Sequence, residues 1–214
     1  MGREGYARFP LVFFDLDGTL LRGTVSLLTA DWLGRRGALD DLERRYREGA
    51  VSSAVVAETS AAWFAGRTTA EVGEVLERAP WISGIAETVD ALRAAGAEVA
   101  LATVTWRFAA ELVAERFGFA ACCGTEMAMD DGRLAGVVSR HFEASDKAAF
   151  VAEVCAARGV STADAAVVGD SRNDLAAFEA AGFSIALNAD AAAREAATVA
   201  LDTDDLRDVL PLLR

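Results

Sequence analysis

Short apolar runs alternate with longer helical patterns from about residue 83 onward, and several of those runs stop on a polar residue, which together predict an α/β fold with helices covering a parallel sheet. The segment from 23 to about 82 differs: it has helical periodicity and no convincing strand, and so predicts a helical insertion after the first strand. Phe9 to Phe14 is the first predicted strand; its apolar residues are continuous rather than alternating, as in a strand buried on both faces. Inside the insertion, Trp32 and Leu33, Val55 and Val56, Trp63 and Phe64, then Val72, Val75 and Leu76 form amphipathic faces. Trp32, Trp63 and Trp81 are expected to be core of this helical unit. Thr68 and Glu71 have the spacing of a capping box.

Beyond the insertion, Ile85, Val89 and Leu92 recur at helical spacing, Gly96 follows as a C-terminal cap, and Val99 to Ala102 reads as the second strand. A helix over Trp106 to Phe117 precedes a third strand, Ala120 to Cys123. Asp131-Gly132 then marks a hairpin turn before Leu134 to Val138. A helix over Lys147 to Ala157 leads to the strand Ala165 to Val168, which runs into Gly169-Asp170. Phe183 to Leu187 and Thr198 to Leu201 complete the strands, the alanine-rich Ala189 to Ala197 is helical, and Asp204 to Leu213 is expected to close the chain as a helix.

The 214 residues can bury one substantial core with a small accessory domain beside it, and an apolar content of 53% excludes disorder as the whole description. Lys and Arg number 21 against 33 Asp and Glu, a formal charge of -12 that disfavours nucleic acid and anionic membranes as partners. No apolar run approaches the roughly 20 residues of a membrane span, and no basic segment followed by an apolar secretory stretch opens the sequence. A cytoplasmic protein, monomeric or homodimeric, is expected. Cys122, Cys123 and Cys155 lack a zinc-like spacing and read as buried free thiols. His141, the single histidine, has no carboxylate partner specified by spacing and receives no role.

In open α/β sheets, ligands bind beyond the carboxyl ends of the strands, so polar residues placed there carry the functional reading. The first strand delivers Asp15-Leu16-Asp17-Gly18-Thr19-Leu20, with two carboxylates at a chain reversal that Gly18 eases. One carboxylate can attack phosphorus while the other handles a proton, dividing a difficult displacement into two easier ones. The second strand delivers Thr103, preferred over Thr105 as the first polar residue after the strand. The strand at 165–168 delivers Gly169-Asp170-Ser171-Arg172-Asn173-Asp174 and two more carboxylates. So much negative charge in one crevice calls for a cation. Magnesium, a hard ion that bridges carboxylates to substrate phosphate, meets that need, and no His or Cys cluster suggests zinc. Lys147, the sole lysine, is the candidate to face the metal and hold the transferring phosphoryl group.

Taken singly, these features have plain structural explanations: Asp-Gly pairs form turns, and lysines usually lie on exposed helix faces. Their joint occurrence in this order resembles the haloacid dehalogenase superfamily of phosphohydrolases. The helical insertion, and the nearly continuous likeness from Asp146-Lys147 through Val167-Val168-Gly169-Asp170 to Asp204 through Leu210, resemble its phosphoserine-phosphatase-like branch. The resemblance implies a Rossmann-like core over 1–22 and 83–214 with a helical cap over 23–82. It implies Asp15 as nucleophile and metal ligand, and Asp17 as the proton donor and acceptor whose carbonyl also binds metal. Thr103, Lys147 and Asn173 would bind phosphate, Asp170 would ligate magnesium, and Asp174 would support the metal site from behind or through water. The implied activity is hydrolysis of a small phosphomonoester, with phosphoserine one candidate. A phosphomutase with the same aspartyl chemistry and a non-catalytic binding module are the alternatives. Where the branch places an acidic residue to hold the substrate ammonium, this chain has Thr24, whereas Arg22, Arg67 and Arg107 could receive an additional acidic group.

Overall fold

Residues 7–213 are described by a computed structural model; residues 1–6 and 214 of the expected core lie outside the described residues. In chain order the elements are β1 (Leu11–Phe14), α1 (Val25–Trp32), α2 (Arg36–Arg47), α3 (Ser53–Ala61), α4 (Thr69–Glu77), α5 (Ile85–Ala94), β2 (Glu98–Leu101) and α6 (Arg107–Phe117). There follow β3 (Ala121–Cys122), β4 (Glu126–Asp130), β5 (Arg133–Arg140), α7 (Ala144–Arg158), β6 (Ala165–Gly169), α8 (Leu175–Ala180), β7 (Phe183–Leu187), α9 (Ala191–Ala196), β8 (Val199–Leu201) and α10 (Leu210–Leu213).

Six strands form one parallel sheet in the order β3-β2-β1-β6-β7-β8. The chain therefore starts in the middle of the sheet, builds outward to one side through β2 and β3, then returns beside β1 with β6 and builds outward to the other. The reversal lies between β1 and β6, whose registers Leu11↔Ala165 and Phe14↔Val168 bring Asp15 level with Gly169. This is the topological switch point at which open α/β sheets bind ligands.

All four residues of β1 are buried, as its unbroken apolar sequence requires. Val12 and Phe14 pack with Val89, Leu92, Val99 and Leu101 on one face, while Leu11 and Phe13 pack with Val151, Val154, Val167 and Phe178 on the other. Burying each such side chain contributes about 1.5–3 kcal/mol. Both core layers thus anchor the strand that carries Asp15.

The insertion contains α1 to α4 and a 3-10 turn over Ala62–Phe64. Its two connections run side by side: Arg22 N–H donates to Pro80 O at 2.9 Å, and Ile82 N–H to Leu20 O at 3.0 Å. Thr24 caps α1 by accepting from Leu27 N–H, and the Thr68–Glu71 capping box is formed at α4. Phe64 docks the insertion against α6, its ring 5.7 Å from Trp106 and 5.6 Å from Phe108.

Two expectations need correction here. Trp32 and Trp81 pack against the core but Trp63 does not join it: Phe64 is buried, and in a tight 3-10 turn the preceding side chain points about 120° away. The closing helix is broken into a 3-10 turn over Leu206–Val209 and the single turn α10. Pro211 has no N–H to donate to the carbonyl four residues back, so it starts a new helical turn rather than continuing one. The hairpin turn lies at Asp131-Gly132, both with positive φ (46° and 72°), but the sequence did not reveal that β4 precedes it. This hairpin stands apart from the main sheet and bonds to the insertion, with Gly66 N–H on Leu134 O and Leu134 N–H on Arg67 O.

Candidate active site

The loops after β1 and β6 meet with very little space between them. Gly18 has φ +82°, and a Cβ there would lie 2.0 Å from Asp170 Oδ2. Glycine is required by both the backbone and the neighbour.

Lys147 reaches this junction from the first turn of α7 and is fully buried. Its Nζ lies 3.0 Å from Asp15 Oδ1 and 2.7 Å from Asp174 Oδ1. A buried ammonium is tolerable only when paired in this way. Burial works against its charge, yet Asp15 and Asp174 together hold it above the ordinary lysine pKa. Asp174 spends its other oxygen on the backbone, accepting from Asp170 N–H at 3.0 Å and Ser171 N–H at 3.1 Å. It therefore fixes the loop that presents Asp170, and Gly169 leaves it room, since a Cβ there would lie 2.3 Å from Asp174 Cγ.

Oxygens of Asp15, Asp170 and Asp174 lie within 4.8 Å of one another. Burial pushes the Asp15 carboxyl up to about 6, with Lys147 pulling it back. Burial likewise raises Asp170 to about 7, aided by the charges of Asp15 and Asp174. Asp170 Oδ1 is buried without any hydrogen-bond partner. An orphaned oxygen among acidic neighbours, with no nitrogen or sulfur donor in the set, fits a hard divalent cation.

Asp17 sits two residues beyond Asp15. Its Oδ1 accepts from Val25 N–H at 2.8 Å, which ties the loop to the first residue of α1. Burial raises Asp17 to about 7, opposed first by that N–H. A carboxyl held near neutrality can carry a proton in one step and accept it in the next.

Of the two threonines after β2, Thr103 is fully buried and accepts from Thr105 N–H at 3.3 Å. Thr105 faces a cavity of about 320 Å³ that also opens on Asp17 and Asn173. The Thr105 hydroxyl lowers the Asp17 pKa slightly by its proximity, yet it has no hydrogen-bond partner of normal geometry. The cavity lies between α1, α2 and α3 of the insertion and the loops after β1, β2, β3, β5 and β6. Trp106, Phe142, Tyr46 and Ser26 line it, and sequence reasoning assigned none of them to the site. The available signal was position alone: Trp106 and Phe142 follow strands and precede helices.

Thr24 and the three arginines named as specificity candidates do not line this cavity. Thr24 is occupied as the cap of α1. Arg22 pairs with Asp204, Arg67 with Glu71 at 3.1 Å, and Arg107 with Glu111 at 3.0 Å and Glu126 at 2.9 Å. His141 Nε2 lies 3.4 Å from Glu58 Oε1 at the cavity mouth, a partner that spacing did not reveal. Among the described residues, no helix is long and apolar enough to cross a membrane. Cys123 and Cys155 are buried and Cys122 is half-buried; all three are free thiols, and burial pushes Cys123 up to about 12.

Comparison with known proteins agrees with this geometry. The family model for haloacid dehalogenase-like hydrolases matches residues 12–179. The chain is 28% identical over 213 residues to a phosphoserine phosphatase of Albidiferax ferrireducens, covering 96% of this chain and 90% of that protein. It is 26% identical over 205 residues to a phosphoserine phosphatase of Archaeoglobus fulgidus, covering 95% of this chain and 60% of that relative's length. Two solved structures share the fold. A phospho-aspartyl intermediate analogue of phosphoserine phosphatase gives a TM-score of 0.81 at 23% identity, over 96% of this chain and 99% of that one. A HAD family hydrolase from Salmonella enterica serovar Typhi gives 0.88 at 19% identity, over 96% and 73%. With the matched residues taking in β1, β2, β6 and the loops that bring Asp15, Lys147 and Asp170 together, the chain belongs to the haloacid dehalogenase-like hydrolase family.

Proposed function

We propose that this protein is a magnesium-dependent phosphomonoester hydrolase that acts on a small phosphorylated metabolite in the cytoplasm, as a monomer or homodimer, through an aspartyl-phosphate on Asp15. The observation that carries this reading is the meeting of Asp15, Asp170 and Asp174, with buried Lys147 paired to Asp15 and Asp174. Phosphoserine, the substrate in the names of the relatives, is one candidate.

An oxygen of Asp15 attacks phosphorus, and the bond from phosphorus to the alcohol oxygen breaks. Asp17 gives its proton to that departing oxygen, which its raised pKa of about 7 permits. Now ionised, Asp17 takes a proton from water. The water oxygen attacks the same phosphorus, releasing inorganic phosphate and restoring the Asp15 carboxylate. Lys147 orients Asp15 and balances its charge, and with Thr103 and Asn173 it binds the phosphoryl oxygens. Asp15, Asp170 and the Asp17 carbonyl, with Asp174 in support, would hold magnesium, which would neutralise the charge shared by the carboxylates and the phosphoryl group. Residues 23–82 act as a cap over a core formed by 1–22 and 83–214, and the Asp17–Val25 hydrogen bond links the cap to the proton-transfer group.

Phosphate release from a panel of phosphomonoesters, with magnesium and with chelator, tests this reading on the native chain and on Asp15→Asn. Turnover should require magnesium and should vanish in the variant. Undiminished turnover by folded Asp15→Asn would remove Asp15 as nucleophile.

A further inference from the structure

The cavity beside Asp17 carries information about the alcohol half of the substrate. Its walls combine hydroxyls, from Ser26, Ser60, Thr105 and Thr125, with the apolar surfaces of Val56 and Trp106. Among the described residues, no lysine or arginine lines it. Besides Asp17, its titratable lining groups are Tyr46, whose ring lies beside the Arg172 guanidinium, and His141 and Glu143, both exposed at the mouth and both already paired. His141 faces Glu58, and Glu143 Oε1 accepts from Ser53 Oγ at 3.0 Å. Arg22, Arg67 and Arg107 are held in ion pairs with Asp204, Glu71, Glu111 and Glu126, while Arg172, beside Asn173, is exposed and sets its guanidinium 5.9 Å from the centroid of the Tyr46 ring, outside the lining.

A ligand carboxylate in this space would meet no lysine or arginine in the lining, Arg172 lying outside it over Tyr46, and would lie near Asp17 and Glu143. Enclosing an unpaired charge in such surroundings is strongly unfavourable. A ligand hydroxyl meets the opposite situation. Thr105 lines the cavity, and its Oγ1, buried close to the Asp17 carboxyl, makes no hydrogen bond of normal geometry. Ser60 Oγ donates to Val56 O at 2.7 Å and keeps its lone pairs free to accept. At about 320 Å³ the space is at the lower end of small-molecule sites, which start near ~300 Å³.

We infer that the alcohol released by this site is uncharged and mixes hydroxyl with apolar surface, as a phosphorylated polyol or sugar does, and that phosphomonoesters bearing a carboxylate are rejected. The inference rests on the phosphatase reading and narrows it, moving this chain away from phosphoserine.

The test compares kcat/KM of the full chain with magnesium for p-nitrophenyl phosphate, glycerol 3-phosphate and a hexose phosphate against phosphoserine and 3-phosphoglycerate. The better of the two neutral alcohol phosphates should exceed both carboxylated esters by about 100-fold, the scale on which a site rejects a group it cannot pair. Turnover of p-nitrophenyl phosphate with phosphoserine or 3-phosphoglycerate favoured overturns the inference alone. Absence of turnover on every ester, p-nitrophenyl phosphate included, removes the phosphatase reading and the inference with it. Val56→Arg supplies the missing cation from the half-buried wall of α3 and should move the ratio about tenfold toward the carboxylated esters. An unchanged ratio in the folded variant would show that this cavity does not hold the alcohol.

Discussion

Replacing Lys147 by Met keeps a side chain of similar length while deleting the one positive charge that touches both Asp15 and Asp174. All three groups are buried, with Lys147 at 0%, Asp15 at 4% and Asp174 at 1% exposure, so water screens little of the change. Removing one partner from a buried ion pair costs about 3–5 kcal/mol, and here the lost ammonium serves two carboxylates at 3.0 and 2.7 Å. For a chain of this length each kcal/mol moves Tm by about 2–4 °C, so melting should fall by about 6–20 °C at pH 8 in chelator. The deficit should narrow by more than half at pH 5.5. Asp15 is raised to about 6 even with Lys147 beside it; without that charge it takes up a proton in mildly acid solution and ceases to be an unpaired anion. Thermal denaturation of native and variant chains at both pH values reads this directly, and phosphate release with magnesium should fall about 10²–10³-fold. A Tm within 2 °C of native at pH 8, or a deficit that stays constant on acidification, would refute the charge-balance argument.

The metal-free native chain should lose stability as pH rises from about 4 to 7. Asp15, Asp17 and Asp170 are raised from 3.8 to about 6, 7 and 7, so in this window the folded state holds more protons than the unfolded state. Each extra proton held lowers stability by about 1.4 kcal/mol per pH unit as pH rises. Lys147, raised above its ordinary value, keeps its contribution throughout this range and loses it only at strongly alkaline pH. Magnesium should therefore raise Tm little at pH 5 and progressively more toward pH 8; a magnesium shift independent of pH would contradict the assignment of these carboxylates. Gly18→Ala places a Cβ 2.0 Å from Asp170 Oδ2 at φ +82°, whereas Gly23→Ala introduces comparable backbone strain at φ +111° with nothing within 4 Å. Both should lose about 1 kcal/mol or more of stability, but only Gly18→Ala should weaken magnesium binding in calorimetric titration.

The reacting groups were legible because each occupies a position defined by local pattern. Asp15, Thr103 and Asp170 follow continuous apolar runs, and in a parallel sheet such runs end on one edge. Lys147 stood out as the single lysine at a helix start, and burial of that lysine explains why no arginine takes its place: a compact ammonium can touch two carboxylates where a planar fork would need more room. The double role of Asp174, with one oxygen on Lys147 and the other on two backbone N–H groups, was less accessible. It depends on the 3-10 turn over Arg172–Asp174, in which Asp174 closes a capping box with Ser171. The hairpin arm β4 was missed for a similar reason. Its residues Glu126–Asp130 carry no clean alternation, and register shifts accompany its pairing with β5.

The cavity was not legible at all, because its walls are set by how two groups of helices and loops face each other. Ser26, Tyr46 and Val56 come from three helices of the insertion, and Thr105, Phe142 and Asn173 from three loops of the core. Their juxtaposition depends on where the insertion is held, and three observations account for that: Phe64 seated on Trp106 and Phe108, the backbone bonds between β5 and residues 66–67, and the Asp17 carboxylate on Val25 N–H. None has a one-dimensional signature, since each pairs residues far apart in sequence or relies on a side chain whose direction only the fold decides. The arginines show the consequence. Their closeness to the motifs along the chain suggested a place at the site, while the structure turns Arg22, Arg67 and Arg107 into ion pairs outside the cavity. Chemistry held at strand ends is fixed by the sheet, whereas selectivity held between two units is fixed by their docking, so the first can be inferred from sequence and the second requires coordinates.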